Sequence, residues 1–212
     1  MAGFQNHPKR WVVGPAASMA VHSLDRYFQD YTGSWFHQLA DGAHPNRLTA
    51  ADMVAVSMLS ATVPARSAVW ILNDGAAQIE ELLAAVPDVD IWDAAGALDD
   101  GGPLATLWTL LQSPAAQWEA GKDANGVGPV LAGKLLATKR PRLVPVFDAV
   151  VAEALGSFDK GTFWRSWQHA FDDPELLPAV RAVQTEAALR HPAVAGLPAL
   201  RVLDIVIWHQ HR

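Results

Sequence analysis

Gly126-Val127-Gly128 opens a helical stretch that closes on Lys139-Arg140-Pro141-Arg142, and Asp148 follows shortly after. Two glycines around one apolar residue let the backbone turn tightly, and the first amide N–H groups of the helix that follows have no intrahelical partner. Such a turn is a ready anion site, and a nucleic-acid phosphate suits it. The carboxylate of Asp148 has the chemistry to stabilise positive charge building on a sugar and to orient or deprotonate a water. An aspartate after Val146-Phe147 at a helix start is also an ordinary N-cap, worth about 1 kcal/mol.

Charge sharpens the anion reading. The chain of 212 residues carries a net charge of −6, which taken alone argues against a general nucleic-acid binder. Between Gly121 and Arg142, however, stand Lys122, Lys134, Lys139, Arg140 and Arg142 against Asp123 alone, so this segment sums to +4 and the remainder to −10. A basic island on an acidic body points to a local, directed contact with a phosphate backbone. The plainer alternative is a solvated, lysine-rich helix end.

The elements that must position these groups read as helices. Helix starts recur at Thr49 with Asp52 three residues later, at Pro64, at Pro103, at Pro114 and at Pro174, whereas strand signals are scarce. Helices are expected around 17–31, 48–60, 76–86, 103–111, 128–138, 148–156, 161–171, 174–190 and 197–210. The 48–60 stretch, rich in Met53, Val54, Val56, Met58 and Leu59, reads as the central one. Asp99-Asp100-Gly101-Gly102 marks a loop and a candidate lobe boundary near 99–102. Half of the residues are apolar, enough for one substantial core or two small lobes.

The chain has no cysteine, which excludes disulfides, iron–sulfur clusters and thiolate zinc sites and points to the cytoplasm. No two histidines stand four apart on an expected helix, so neither a metal nor another cofactor is expected. No apolar run approaches the roughly 20 residues that span a bilayer.

Nine tryptophans are many for this length. Trp70, Trp92, Trp108 and Trp208 fall among apolar helix positions and read as core, while Trp35, Trp164 and Trp167 read as partly exposed. Asp204, inside Leu203-Asp204-Ile205-Val206-Ile207, needs a buried partner, since an unpaired charge there is costly. The reading is either an arginine partner, Arg201 or Arg181, or a second acid in a pocket.

Ala124-Asn125-Gly126-Val127-Gly128, with the small Ala132 one turn into the second helix and then Leu135-Leu136, resembles a helix-hairpin-helix motif over residues 115–138. Together with Asp148 it is similar to the helix-hairpin-helix DNA glycosylase superfamily, whose catalytic aspartate follows its hairpin at this interval. Val56-Ser57-Met58-Leu59-Ser60-Ala61-Thr62 resembles the buried helix that ends beside the superfamily's DNA-intercalating loop, and the resemblance implies that Thr62 stands where many relatives have a glutamine wedge. Bifunctional relatives carry a nucleophilic lysine where this chain has Val130, and the His and Arg that commonly follow the aspartate are replaced by Ala149, Val150 and Val151. The segment Lys139-Arg140-Pro141-x-Leu143-x-Pro145-Val146-x-Asp148 also resembles an uncharacterised bacterial family.

The resemblance implies an all-α, glycosylase-like fold of two helical lobes with the hairpin and Asp148 lining a cleft. It implies DNA contact through Gly126, Val127, Gly128, Lys134, Lys139, Arg140, Arg142 and Thr62. Asp148 would carry an N-glycosylase reaction of monofunctional type, and Lys134, four residues after Val130 on the same helix face, is the candidate substitute for the missing nucleophile. A non-catalytic DNA reader and a protein- or ligand-binding helical domain stay open beside it. The sequence leaves enzyme status, target base and oligomeric state open.

Overall fold

The computed structural model describes residues 3–112, 126–157 and 160–212. Among them the chain is all-helical, with no strand. No helix there is long and apolar enough to cross a membrane. The first half of the expected hairpin, including Ala124 and Asn125, and the helix start at Pro114 lie outside the described residues.

Two compact units share the chain. The first comprises Met1–Tyr31, Asp90–Asp93 and Pro141–Arg212, and the second Thr32–Val89 and Ala94–Arg140. The ends of the chain thus build one unit and its middle builds the other. The Asp99–Gly102 loop falls inside the second.

The first unit contains α1 (Ala16–Asp30), which turns Ala20, Val21, Leu24 and Tyr27 inward at spacings of three and four residues. The second unit opens on α2 (Phe36–Leu39), α3 (Ala50–Ser57), α4 (Ala65–Leu72), α5 (Ala76–Ala85), α6 (Pro103–Leu111) and α7 (Pro129–Lys139). The chain then returns to the first unit through α8 (Ala149–Leu155), α9 (Lys160–Ala170), α10 (Leu176–Ala188) and α11 (Ala199–His211).

In the first unit α11 is the core element, buried from Ala199 through Ile207 and packed by α1, α8 and α10. Its one acid, Asp204, pairs with Arg201, whose guanidinium also donates to the Tyr27 hydroxyl at 2.5 Å. The buried carboxylate therefore has the arginine partner that its apolar surroundings demanded. Arg181 is engaged elsewhere, at Gln184 Oε1, 2.9 Å away. Tyr27→Phe removes one neutral acceptor from a buried cation and is expected to cost about 1.5–3 kcal/mol, read as a lower urea midpoint at unchanged slope.

Trp167 departs from expectation. It is fully buried, because Phe163 and Trp167 stand four apart on α9 and both turn onto Phe4, with ring centroids 5.8 and 5.2 Å away. Gly156 ends α8 in the left-handed conformation at φ 65°, where a Cβ would also meet the Gln5 side chain at 2.7 Å.

In the second unit the central helix is α7, not α3. Every residue from Leu131 to Lys139 is buried, and the helix packs against α3 and α6. Trp108 of α6 donates its indole N–H to Pro129 O at 3.3 Å. The shorter α3 buries Asp52, Ala55 and Val56 but leaves Val54 half exposed. Its start is the expected one, a reciprocal capping box between Thr49 and Asp52.

Candidate functional site

Val127 anchors the glycine turn, fully buried, while Gly126 and Gly128 on either side are part-exposed. Gly128 is the N-cap of α7 at φ −80° and ψ 173°, with no side-chain cap, and Pro129 takes the first helical position. Among the described residues nothing lies within 4 Å of an added Cβ at Gly128. Its φ and ψ are ones that any residue adopts.

The loop after α3 stands in the same unit. Ser60 adopts φ 56°, the only positive φ among the described non-glycine residues, and Ser60 and Thr62 are exposed. A left-handed serine costs about 1 kcal/mol and persists only where neighbours fix it. Two bonds do so. Lys134 Nζ of α7 donates to Leu59 O at 3.0 Å, and Thr32 Oγ1 donates to Met58 O at 3.0 Å.

The basic island is largely an interior feature. Lys134 and Lys139 are each 5% exposed and Arg140 is 3% exposed. Lys139 Nζ lies 2.6 Å from Asp52 Oδ2 and donates to Asp41 O at 2.9 Å, with both charged side chains fully buried. Asp52 also accepts from Thr49 N at 2.8 Å and from Asp41 N at 3.1 Å. Arg140 donates to Val86 O, Leu83 O, Pro45 O, Lys139 O and Asn46 Oδ1 at 2.5–2.9 Å. Burial pushes its proton affinity below the usual arginine range, with Asp88 opposing.

Lys139 and Arg140 are therefore corrected from phosphate ligands to internal clamps on the loops that bound α3 and follow α5. Lys134 is corrected likewise. Its buried amine is tethered to the Leu59 carbonyl, inside the unit and not at its surface. Among the described cations of the island Arg142 is the exception, 43% exposed in its side chain and 3.6 Å from Asp90, and Lys122 lies outside the described residues.

Asp148 belongs to the first unit. It caps α8, accepting from Val150 N at 2.9 Å, and is part-exposed. Its charge reaches Tyr27, whose phenol is held above its ordinary range by burial, with Asp204 and Asp148 adding to the effect and Arg201 opposing it. The carboxylate is thus rigidly oriented by the cap and still meets solvent.

Sequence reasoning missed the carbonyl ties of Lys134 and the left-handed Ser60, for which no spacing rule gives a signal. It also missed the Asp52–Lys139 pair. There a signal existed, since an acid on an apolar helix implies a partner by the argument applied to Asp204.

A family profile described as a family of unknown function (DUF6308) matches residues 20–211. No curated protein and no solved structure matches the chain.

Proposed function

The chain belongs to the family of unknown function DUF6308, and from that premise we propose that it handles DNA as a monofunctional N-glycosylase of the helix-hairpin-helix type. The observation that carries the reading is the bond from Lys134 to Leu59 O. It fastens the loop that bears Thr62 to the helix that begins at the glycine turn, so the two segments that the resemblance assigns to DNA are held as one piece. The middle of the chain forming one helical unit, with Asp148 in the unit built from the ends, fits the two-lobed glycosylase fold.

In this reading the α7 amides at Gly128 have the role of phosphate ligand, Thr62 that of the wedge, and Asp148 that of the carboxylate acting on the sugar of a flipped nucleotide. The N-glycosidic bond breaks with its electron pair leaving on the base, and the carboxylate stabilises the oxocarbenium-like sugar. Water adds to the anomeric carbon, losing a proton to Asp148, and the departing base takes up a proton. Val130 at the position of the missing nucleophile, with Lys134 tethered, supports hydrolysis without a covalent sugar adduct. Phosphate contact rests on the α7 amides and Arg142, so the salt dependence is shallow, with a logarithmic slope of about −1 to −2.

Gly128→Asp tests the phosphate site. Aspartate is a good N-cap and is expected to hold or raise the urea midpoint. Its charge occupies the phosphate position, and binding to duplex DNA is expected to fall on the order of tenfold or more. Unchanged binding at unchanged stability contradicts the assignment.

One observation favours a second reading, a non-catalytic DNA-binding domain of the same fold. The Asp148 carboxylate is already used as a helix cap. That reading expects binding without base release.

A further inference from the structure

We infer that Asn6 is a positioning residue for Asp148, an inference that rests on the N-glycosylase reading and adds to it a segment of chain which that reading does not use. Asp148 caps α8, and α8 is only seven residues long. A helix of two turns is unstable by itself, so the direction of its first residues is set by what holds its ends.

Residues near the start of the chain hold the far end of α8. The last four carbonyls of a helix have no intrahelical partner, and in α8 they belong to Ala152, Glu153, Ala154 and Leu155. Gly156 N donates to Glu153 O and Ser157 N to Ala152 O, each at 2.9 Å. Asn6 takes the other two. Its side-chain amide donates to Ala154 O at 2.8 Å, and its backbone N–H donates to Leu155 O at 3.2 Å. Arg10 Nη1 donates to Asn6 Oδ1 at 2.7 Å, which turns the amide nitrogen toward the helix.

The near end is held through rings. Phe147, the residue before Asp148, meets Phe163 edge-on with centroids 4.8 Å apart, and Phe163 in turn meets Phe4 at 5.8 Å. Phe4 and Asn6 are two residues apart, so one short segment grips α8 at its end and, through a single ring, at its start. Pro8 and Trp11 are buried just beyond that segment, and Lys9 pairs with Asp173 at 3.0 Å, which fixes the segment itself. All of these residues lie in the first unit. Attraction between a carboxylate and a sugar cation falls with distance, and a shift of about 1 Å near contact is worth on the order of tenfold in affinity.

The test compares wild type, Asn6→Asp and Asn6→Ala on duplexes carrying a cationic pyrrolidine abasic mimic or its neutral tetrahydrofuran counterpart, with urea unfolding alongside. Asn6→Asp is nearly isosteric and keeps the acceptor for Arg10, but it loses the bond to Ala154 O and brings a negative charge to the carbonyl end of α8. Asn6→Ala loses the side-chain bonds without adding charge. Both variants are expected to unfold with an unchanged urea slope and to bind the neutral duplex as wild type does. Both are expected to lose on the order of tenfold of the preference for the cationic mimic. A merely structural role lowers the urea midpoint and leaves the preference of the folded protein as it was, and that result in Asn6→Ala would overturn the inference. Equal loss on both duplexes would overturn it too, because the segment then acts on binding at large and not through Asp148. Wild type without a preference for the cationic mimic would overturn the inference together with the role of Asp148 beneath it.

Discussion

Lys139→Met is expected to cost about 3–5 kcal/mol of folding free energy, because it leaves the Asp52 carboxylate charged and fully buried without its cation. Domains of this size hold only about 5–15 kcal/mol in all, so the variant is expected to sit near the edge of folding. The double variant Lys139→Met/Asp52→Leu removes both charges and is expected to recover most of the loss. It falls short of full recovery by about 1 kcal/mol for the lost capping box. Urea unfolding followed by circular dichroism reads all three proteins. A phosphate-binding lysine predicts the reverse pattern for Lys139→Met, with stability kept and about one unit removed from the salt slope of DNA binding.

Asp148→Asn carries the second large effect. Asparagine caps a helix about as well as aspartate, so stability is expected to hold within about 0.5 kcal/mol. The substitution still removes the negative charge and the base, and the rate of base release is expected to fall about 10²–10⁴-fold. Asp148→Ala loses the cap as well and is expected to be less stable by about 1 kcal/mol. The pair of variants therefore separates the cap from the proposed chemistry. Base release that survives in Asp148→Asn would remove Asp148 from the chemistry.

The helices were legible in the sequence because their starts are local. The capping box at Thr49, the prolines at 64 and 103 and the cap at Asp148 all do in the structure what their spacing implied. Asp204 was legible for a different reason. A charge within an apolar run must be paired, and the partner, Arg201, lies one turn away.

Lys139 and Arg140 were misread because cations at a helix C-terminus usually complement the dipole in solvent, and nothing local says otherwise. Among the described residues, and apart from Lys139 O, their partners are Asp41, Pro45, Asn46, Asp52, Leu83 and Val86, all more than 50 residues away in the chain. Those same partners make α7, with its two lysines, more buried than the apolar α3. Hydrophobic pattern alone ranks the two helices the other way round.

The central claim is that Asp148 faces a sugar on which positive charge develops. The most direct measurement is the affinity of wild type and Asp148→Asn, at two salt concentrations, for duplexes carrying a cationic pyrrolidine abasic mimic, its neutral tetrahydrofuran counterpart or no lesion. Wild type is expected to prefer the cationic mimic, and Asp148→Asn to lose this preference while binding the neutral duplex as before. Equal affinity of wild type for all three duplexes, or a preference that survives in Asp148→Asn, would contradict it.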